Sequence, residues 1–232
     1  MHGKVVVVTG GFGVLGRAVA AEAAARGAHV ARIDIASAPA APLAEGADFG
    51  GVDVTDAVAA AGAVAAIAQR FGGVDVLVNV AGGFVWQTLQ NSDPDVWARM
   101  FRVNVATAVT MTKAALPSLL VRPRARIINI GAGAAAKAAA GMGAYAAAKS
   151  AVARLTESLA EELVGHDITV NAVLPGIIDT PINRAEMPNA DTSTWVKPGA
   201  LAEVILFLAS PAAGAISGAL IPVTRCDGRK ET

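Results

Sequence analysis

The chain has 232 residues, of which 54% are hydrophobic and 16% charged, so it can fill a large core and is not a disordered polypeptide. Lysine plus arginine and aspartate plus glutamate balance at 19 each, which excludes a surface field suited to nucleic acid or an anionic membrane. One cysteine, Cys226, excludes an intrachain disulfide, and with no evident base beside it this thiol is not a credible nucleophile.

Short β-branched runs alternate with longer Ala/Leu-rich stretches. Strands are expected at 5–8, 28–33, 75–79, 126–130, 169–173 and 220–223, with a weaker one ending at 52–53. Helices are expected at 14–26, 56–71, 93–120, 145–164 and 198–209. Several strands are apolar without alternation, as strands covered on both faces should be. This order predicts one α/β domain over residues 1–232, a Rossmann-like doubly wound fold with a seven-stranded parallel sheet. The first apolar run is too short for a signal-peptide core and no run spans a bilayer, so a cytoplasmic protein is expected. Residues 36–46 read as a loop, and the polar, Pro-rich stretch 181–199 reads as a long substrate loop.

The first βα junction is "TGGFGVLG". Gly10, Gly13 and Gly16 permit a tight turn and close approach of a pyrophosphate, and the helix that follows offers free N–H groups and a positive dipole end. The structural alternative is a turn that merely joins strand to helix. Asp34, eighteen residues after Gly16, is placed to accept from both hydroxyls of an adenosine ribose and to repel a 2′-phosphate, which favours NAD(H) over NADP(H). Arg17 and Arg32 stand against that preference, and a strand-end turn is the other reading of Asp34.

Tyr145 and Lys149 lie four apart and share a helix face. An ammonium near the phenol is expected to lower its pKa and make Tyr145 a proton donor or acceptor near neutral pH. Tyr145 is the chain's one tyrosine, and it is also the one hydroxyl-bearing residue between Ser118 and Ser150. His2, His29 and His166 are scattered and suggest neither a metal site nor a catalytic dyad.

In these motifs, together with Asp34, "VDVT" (52–55), "NVAGG" (79–83), "VNV" (103–105), "YAAAK" and "PGIIDTP" (175–181), the chain resembles the short-chain dehydrogenases/reductases over nearly its full length. The resemblance implies that Gly10, Gly13, Val14, Leu15 and Gly16 hold the cofactor phosphates and that Asp53 and Val54 contact the adenine. Asn79, Ala81 and Gly82 would line the adenosine and central cofactor region. Lys149 would bind the nicotinamide ribose and tune Tyr145, with Asn104 supporting a water chain to it. Pro175, Gly176, Ile178 and Thr180 would hold the nicotinamide end. A homodimer or homotetramer acting on a small molecule is also implied.

Two departures stand out. Val14 occupies a position where the family usually has glycine, and Ala132, thirteen residues before Tyr145, replaces the usual catalytic serine. Losing one such donor to a developing oxyanion costs roughly 2.7–4 kcal/mol of transition-state stabilisation. Both departures are similar to those of the dihydropteridine reductases, as are "GGFGVLG", "GMGAYAAAK", "LPGIIDTPINRAEMPNAD" followed by Trp195, and "SGALIPV". That branch uses NADH to reduce a quinonoid dihydropterin.

The expected function is therefore NADH-dependent hydride transfer to a small conjugated imine or carbonyl. A conventional carbonyl reductase or alcohol dehydrogenase, and a non-catalytic NAD(H) sensor, are the alternatives. Trp86, Met187 and Trp195 are candidates to contact substrate beside Ala132. For Trp86 the other reading is loop packing, and for Met187 and Trp195 it is anchoring of their own loop. Lys137 either faces solvent or approaches a substrate oxygen.

Overall fold

The computed structural model describes residues 1–40, 43 and 46–225. Part of the 36–46 loop reading, and Cys226, lie outside the described residues. Seven parallel strands form one sheet: β1 (Val5–Thr9), β2 (His29–Ile33), β3 (Ala47–Phe49), β4 (Val76–Asn79), β5 (Ala125–Ile130), β6 (Ile168–Pro175) and β7 (Leu220–Val223). Their order across the sheet is β3-β2-β1-β4-β5-β6-β7.

Strand period explains the unbroken valines of β1. Val5 and Val7 enter one apolar core while Val6 and Val8 enter the other, on the opposite face. Helices α1 (Val14–Ala25) and α7 (Pro198–Leu208) cover the face of Val6. Helices α2 (Ala57–Phe71), α4 (Thr107–Leu120) and α5 (Gly143–Glu162) cover the face of Val5. Both faces are thus covered by helices, which is why the central strands read as apolar without alternation.

Three expectations require correction. The strand expected to end at 52–53 is β3, which ends at Phe49. The chain turns at Gly51, whose φ is +74, and Asp53 then folds onto Thr55, accepting from its N–H at 2.9 Å and its hydroxyl at 2.7 Å. The single helix expected at 93–120 is α3 (Asp95–Phe101), a π-helical turn over Arg102–Ala106, and α4. Such a turn inserts a residue and re-aims the side chains it contains. The stretch 181–199 is not a structureless loop: it carries α6 (Pro181–Glu186) and a 3₁₀ turn at Thr192–Thr194. Pro181 takes the first helical position, where its missing N–H costs nothing, and the Thr180 hydroxyl accepts from Asn183 N–H at 3.2 Å. Among the described residues, no helix is long and apolar enough to cross a membrane.

Candidate active site

All seven strands run the same way, so their C-terminal ends share one edge of the sheet. Connections leave β1 and β4 toward opposite sides, and between such strands a crevice opens at that edge. Thr9, the last residue of β1, ties the two sides together: its hydroxyl accepts from Val80 N–H and Ala81 N–H, both at 3.1 Å. Gly10 follows with φ +61, and a Cβ there would stand 2.9 Å from the Ala81 nitrogen. A Cβ on Gly16 would stand 2.2 Å from the Gly10 carbonyl oxygen. Only glycine lets the turn, the neighbouring loop and α1 close up this far.

Gly13 caps α1 without a side-chain bond, and no acidic residue lies in its first turn. Val14 begins the helix, and Leu15 puts its side chain in the core, leaving its backbone N–H at the open helix end. By contrast, α2 is closed by its own Asp56, whose carboxylate accepts from Val58 and Ala59 N–H. The glycine cradle and unfilled helix end fit a pyrophosphate. Asp34 stands beside them: its Oδ2 accepts from Phe12 N–H at 2.9 Å and its Oδ1 from Ala36 N–H at 3.0 Å. The Asp53 carboxyl is held below the usual carboxylate range, chiefly by the Thr55 hydroxyl and N–H and further by Arg102. Val54 beside it is buried.

Asn79 behaves differently from expectation. Its amide is buried in the core, donating to Asn129 Oδ1 at 2.9 Å and Thr112 Oγ1 at 3.1 Å. Asn129 in turn donates to Thr156 Oγ1 at 2.9 Å. This chain staples β4 to β5, α4 and α5 and does not turn the Asn79 side chain toward a ligand. The backbone of Ala81 and Gly82 lines the crevice above it.

Lys149 is buried on α5 and donates from Nζ to the carbonyl of Ile130, the last residue of β5, at 2.8 Å. Asn104, in the π-helical turn, donates to Gly83 O and Met100 O, both at 3.0 Å. A Cβ on Gly82 would fall 2.7 Å from Asn104 Oδ1 and 3.6 Å from Lys149 Nζ, so Gly82 keeps the space between them open. Tyr145 sits in the first turn of α5, with Phe84 edge-on at 4.9 Å and the Lys149 ammonium 5.8 Å from its ring centre.

The expected lowering of the phenol pKa is not what this geometry produces. Burial pushes Tyr145 up to about 12 and pulls Lys149 down to about 8. Desolvation outweighs the attraction of an ammonium held at that distance. Tyr145 is thus a neutral phenol with a proton to give, and Lys149 is a cation that yields its proton only slightly above neutrality.

Ala132 follows β5 in extended backbone and is buried. The nearest hydroxyl beyond Tyr145 in the chain, Ser150, donates to Ala135 O at 2.8 Å, fixing the turn Gly133–Ala135. Lys137 is exposed just beyond that turn. Trp86 is 59% exposed, yet its Nε1 donates to Ala140 O at 2.9 Å and its ring lies on Gly141, where a Cβ would stand 2.3 Å away. The loop-packing reading of Trp86 therefore holds for one edge of the ring, and the rest of the ring is exposed.

At the far end, Pro175 closes β6, Gly176 N–H donates to Val223 O at 3.0 Å, and Ile178 bridges to Val196. Thr180 spends its hydroxyl as the cap of α6. Met187 ends that helix, half-buried. Trp195 is only 3% exposed, so it anchors its segment and is not free to close over a substrate.

Thr9, Phe12, Phe84 and Gly141 escaped the sequence reading. The placement of Thr9 at a strand end before glycine was an available signal. The other three act by contacts that no spacing reveals.

The geometry agrees with the comparisons. Residues 4–191 match the short chain dehydrogenase model. The chain is 32% identical over 235 residues to a 3-oxoacyl-(acyl-carrier-protein) reductase of Vibrio cholerae, covering 96% of each. It is also 32% identical over 244 residues to 2-(S)-hydroxypropyl-CoM dehydrogenase 3 of Xanthobacter autotrophicus, again covering 96% of each. The solved 3-ketoacyl-(acyl-carrier-protein) reductase of Brucella melitensis, complexed with NADH, superposes with a TM-score of 0.88 at 28% identity, over 96% of this chain and 97% of that one. The chain belongs to the short-chain dehydrogenase family and is an oxidoreductase that works with a nicotinamide cofactor.

Proposed function

We propose that the chain is an NADH-dependent reductase of small, electron-poor conjugated substrates, a conjugated imine such as a quinonoid dihydropterin or an activated carbonyl. The bound cofactor supplies the hydride. Tyr145 donates the proton to the substrate heteroatom. Lys149, anchored on Ile130 O, keeps further N–H donors for a ribose hydroxyl and, through the gap beside Gly82 and Asn104, for resupply of the proton. Asp34 retains lone pairs on both carboxylate oxygens for the adenosine ribose hydroxyls, which supports NADH over NADPH.

The observation that carries the substrate class is Ala132. The segment that would hold a second hydroxyl carries none, and Ser150 is committed to Ala135 O. A substrate whose acceptor atom is already electron-poor needs that donor least. The second reading, a conventional carbonyl reductase, is favoured by the likeness to a 3-oxoacyl-(acyl-carrier-protein) reductase and a hydroxypropyl-CoM dehydrogenase.

One experiment separates them. NADH oxidation is followed with quinonoid dihydropterin and with a ketone and aldehyde panel, for the parent and for Ala132→Ser. The expected result is turnover of the dihydropterin by the parent, and a gain in ketone reduction in A132S of roughly 10²-fold or more, exceeding any gain on the dihydropterin. Turnover of ketones alone by the parent removes the imine reading and leaves the carbonyl reductase.

A further inference from the structure

Arg32 and Asp34 are two residues apart, so the strand period places them on the same side of the chain. An arginine near the adenosine ribose is the group that accommodates a 2′-phosphate. Here that group is withheld. Nε and an Nη of Arg32 donate to the two oxygens of Asp48, both at 2.7 Å, in a forked pair whose side chains are 6% and 5% exposed. Asp48 lies on β3 directly opposite Arg32 in the register of β2 and β3. The guanidinium carbon stands 5.4 Å from the centre of the Phe12 ring, and a Cβ on Gly11 would meet Arg32 Cβ at 2.6 Å. Phe12 N–H in turn donates to Asp34. Asp48, Arg32, Phe12 and Asp34 thus form one connected chain, with the cation held inside the sheet edge and the anion turned to the crevice.

We propose that Asp48 determines cofactor specificity: by binding Arg32 it keeps a cation from the 2′ position and leaves the negative charge of Asp34 uncompensated. The proposal rests on the NAD(H) reading of Asp34 and adds a residue whose buried carboxylate is bound on both oxygens by Arg32. Asp48→Asn removes the counter-charge with little change of shape. A buried cation without its partner is costly, so the guanidinium is driven toward the anions on its own side, Asp34 and a 2′-phosphate.

The test measures dissociation constants of NADH and NADPH by titration calorimetry for the parent, for D48N, and for the double variant R32M/D48L, which removes both charges together. The parent is expected to prefer NADH. In D48N the ratio of the NADPH to the NADH constant falls by about tenfold or more. In the double variant, with no cation to release, the ratio stays at the parent value. Where D48N is destabilised, thermal shifts at saturating NADH or NADPH populate the folded state and read the same ordering. A purely structural role for the pair weakens both dinucleotides equally, and an unchanged ratio in D48N overturns the proposal, as does lost discrimination in the double variant. A parent that binds both dinucleotides equally refutes instead the reading of Asp34 on which the proposal stands.

Discussion

Lys149 carries a cost that the rest of the site absorbs. Its pKa falls from 10.5 to about 8 because burial penalises the ammonium, and the single bond to Ile130 O does not offset this. Below pH 8 both folded and unfolded chains are protonated here, and the folded state bears the full penalty, about 3 kcal/mol. Between 8 and 10.5 the unfolded chain holds more protons, so stability rises with pH; above that both forms are neutral and the penalty is gone. Tyr145, raised to about 12, acts in the opposite sense, losing stability as pH climbs from 10 to 12. In Lys149→Met only the lysine contribution disappears. Urea unfolding should therefore show the parent gaining about 2–3 kcal/mol on K149M between pH 7 and 10, and parallel pH profiles for the two proteins would contradict the burial of a charged amine. The sequence spacing identified Tyr145 and Lys149 because four residues on a helix always share a face. It misjudged the direction of the phenol's shift, since desolvation depends on Phe84 and on surrounding packing that spacing does not encode. The buried network of the Asn79 amide escaped for the same reason, and the two readings of Trp195, closing over a substrate or anchoring its own loop, separate in favour of anchoring only once the core around the indole is built.

At the scale of elements, most of the architecture was legible because each face of each strand has to be covered, and unbroken valine runs say so directly. What was illegible involved local hydrogen bonding that competes with periodicity. The π-helical turn at Arg102–Ala106 interrupts an apolar pattern that itself shows no break, and α6 is written in a cap and a proline inside a stretch whose composition reads as loop. Glycines separate by the same logic. Gly16 on α1 has no room for a side chain, with the Gly10 oxygen 2.2 Å from an added Cβ, whereas Gly62 on α2 is exposed with nothing within 4 Å. Gly62→Ala is expected to stabilise the protein by about 0.5–1 kcal/mol through helix propensity. Gly16→Ala should lower the melting temperature and abolish measurable NADH binding, because the turn must open to admit the methyl group. Equal melting temperatures for the two variants would show that the turn is not packed as described.

For the whole molecule, the sheet leaves two kinds of surface. The C-terminal edge gathers the cradle, Asp34, the Asn104–Lys149 gap and Tyr145 into one crevice, whereas the outer side of α3 is left uncovered among the described residues. Trp97 and Phe101 lie four apart on that helix, and they remain 43% and 54% exposed, an apolar stripe beside the helix that carries Tyr145. Trp97 also lies against the start of α5, where a Cβ on Gly143 would stand 3.4 Å from its ring, so this face and the first turn of α5 form one packed unit. A second copy of the chain, bringing the same stripe, would bury both aromatics and hold the Tyr145 helix from behind. We propose that the protein is a homo-oligomer built on this face. Phe101→Glu introduces a charge whose desolvation opposes association, while leaving the cofactor crevice intact. Light scattering coupled to gel filtration should find a dimer or tetramer for the parent and a smaller species for F101E with unchanged NADH affinity. A monomeric parent, or an F101E variant of unaltered mass, would assign the stripe to a solvent-exposed surface and leave α5 supported by its own chain alone.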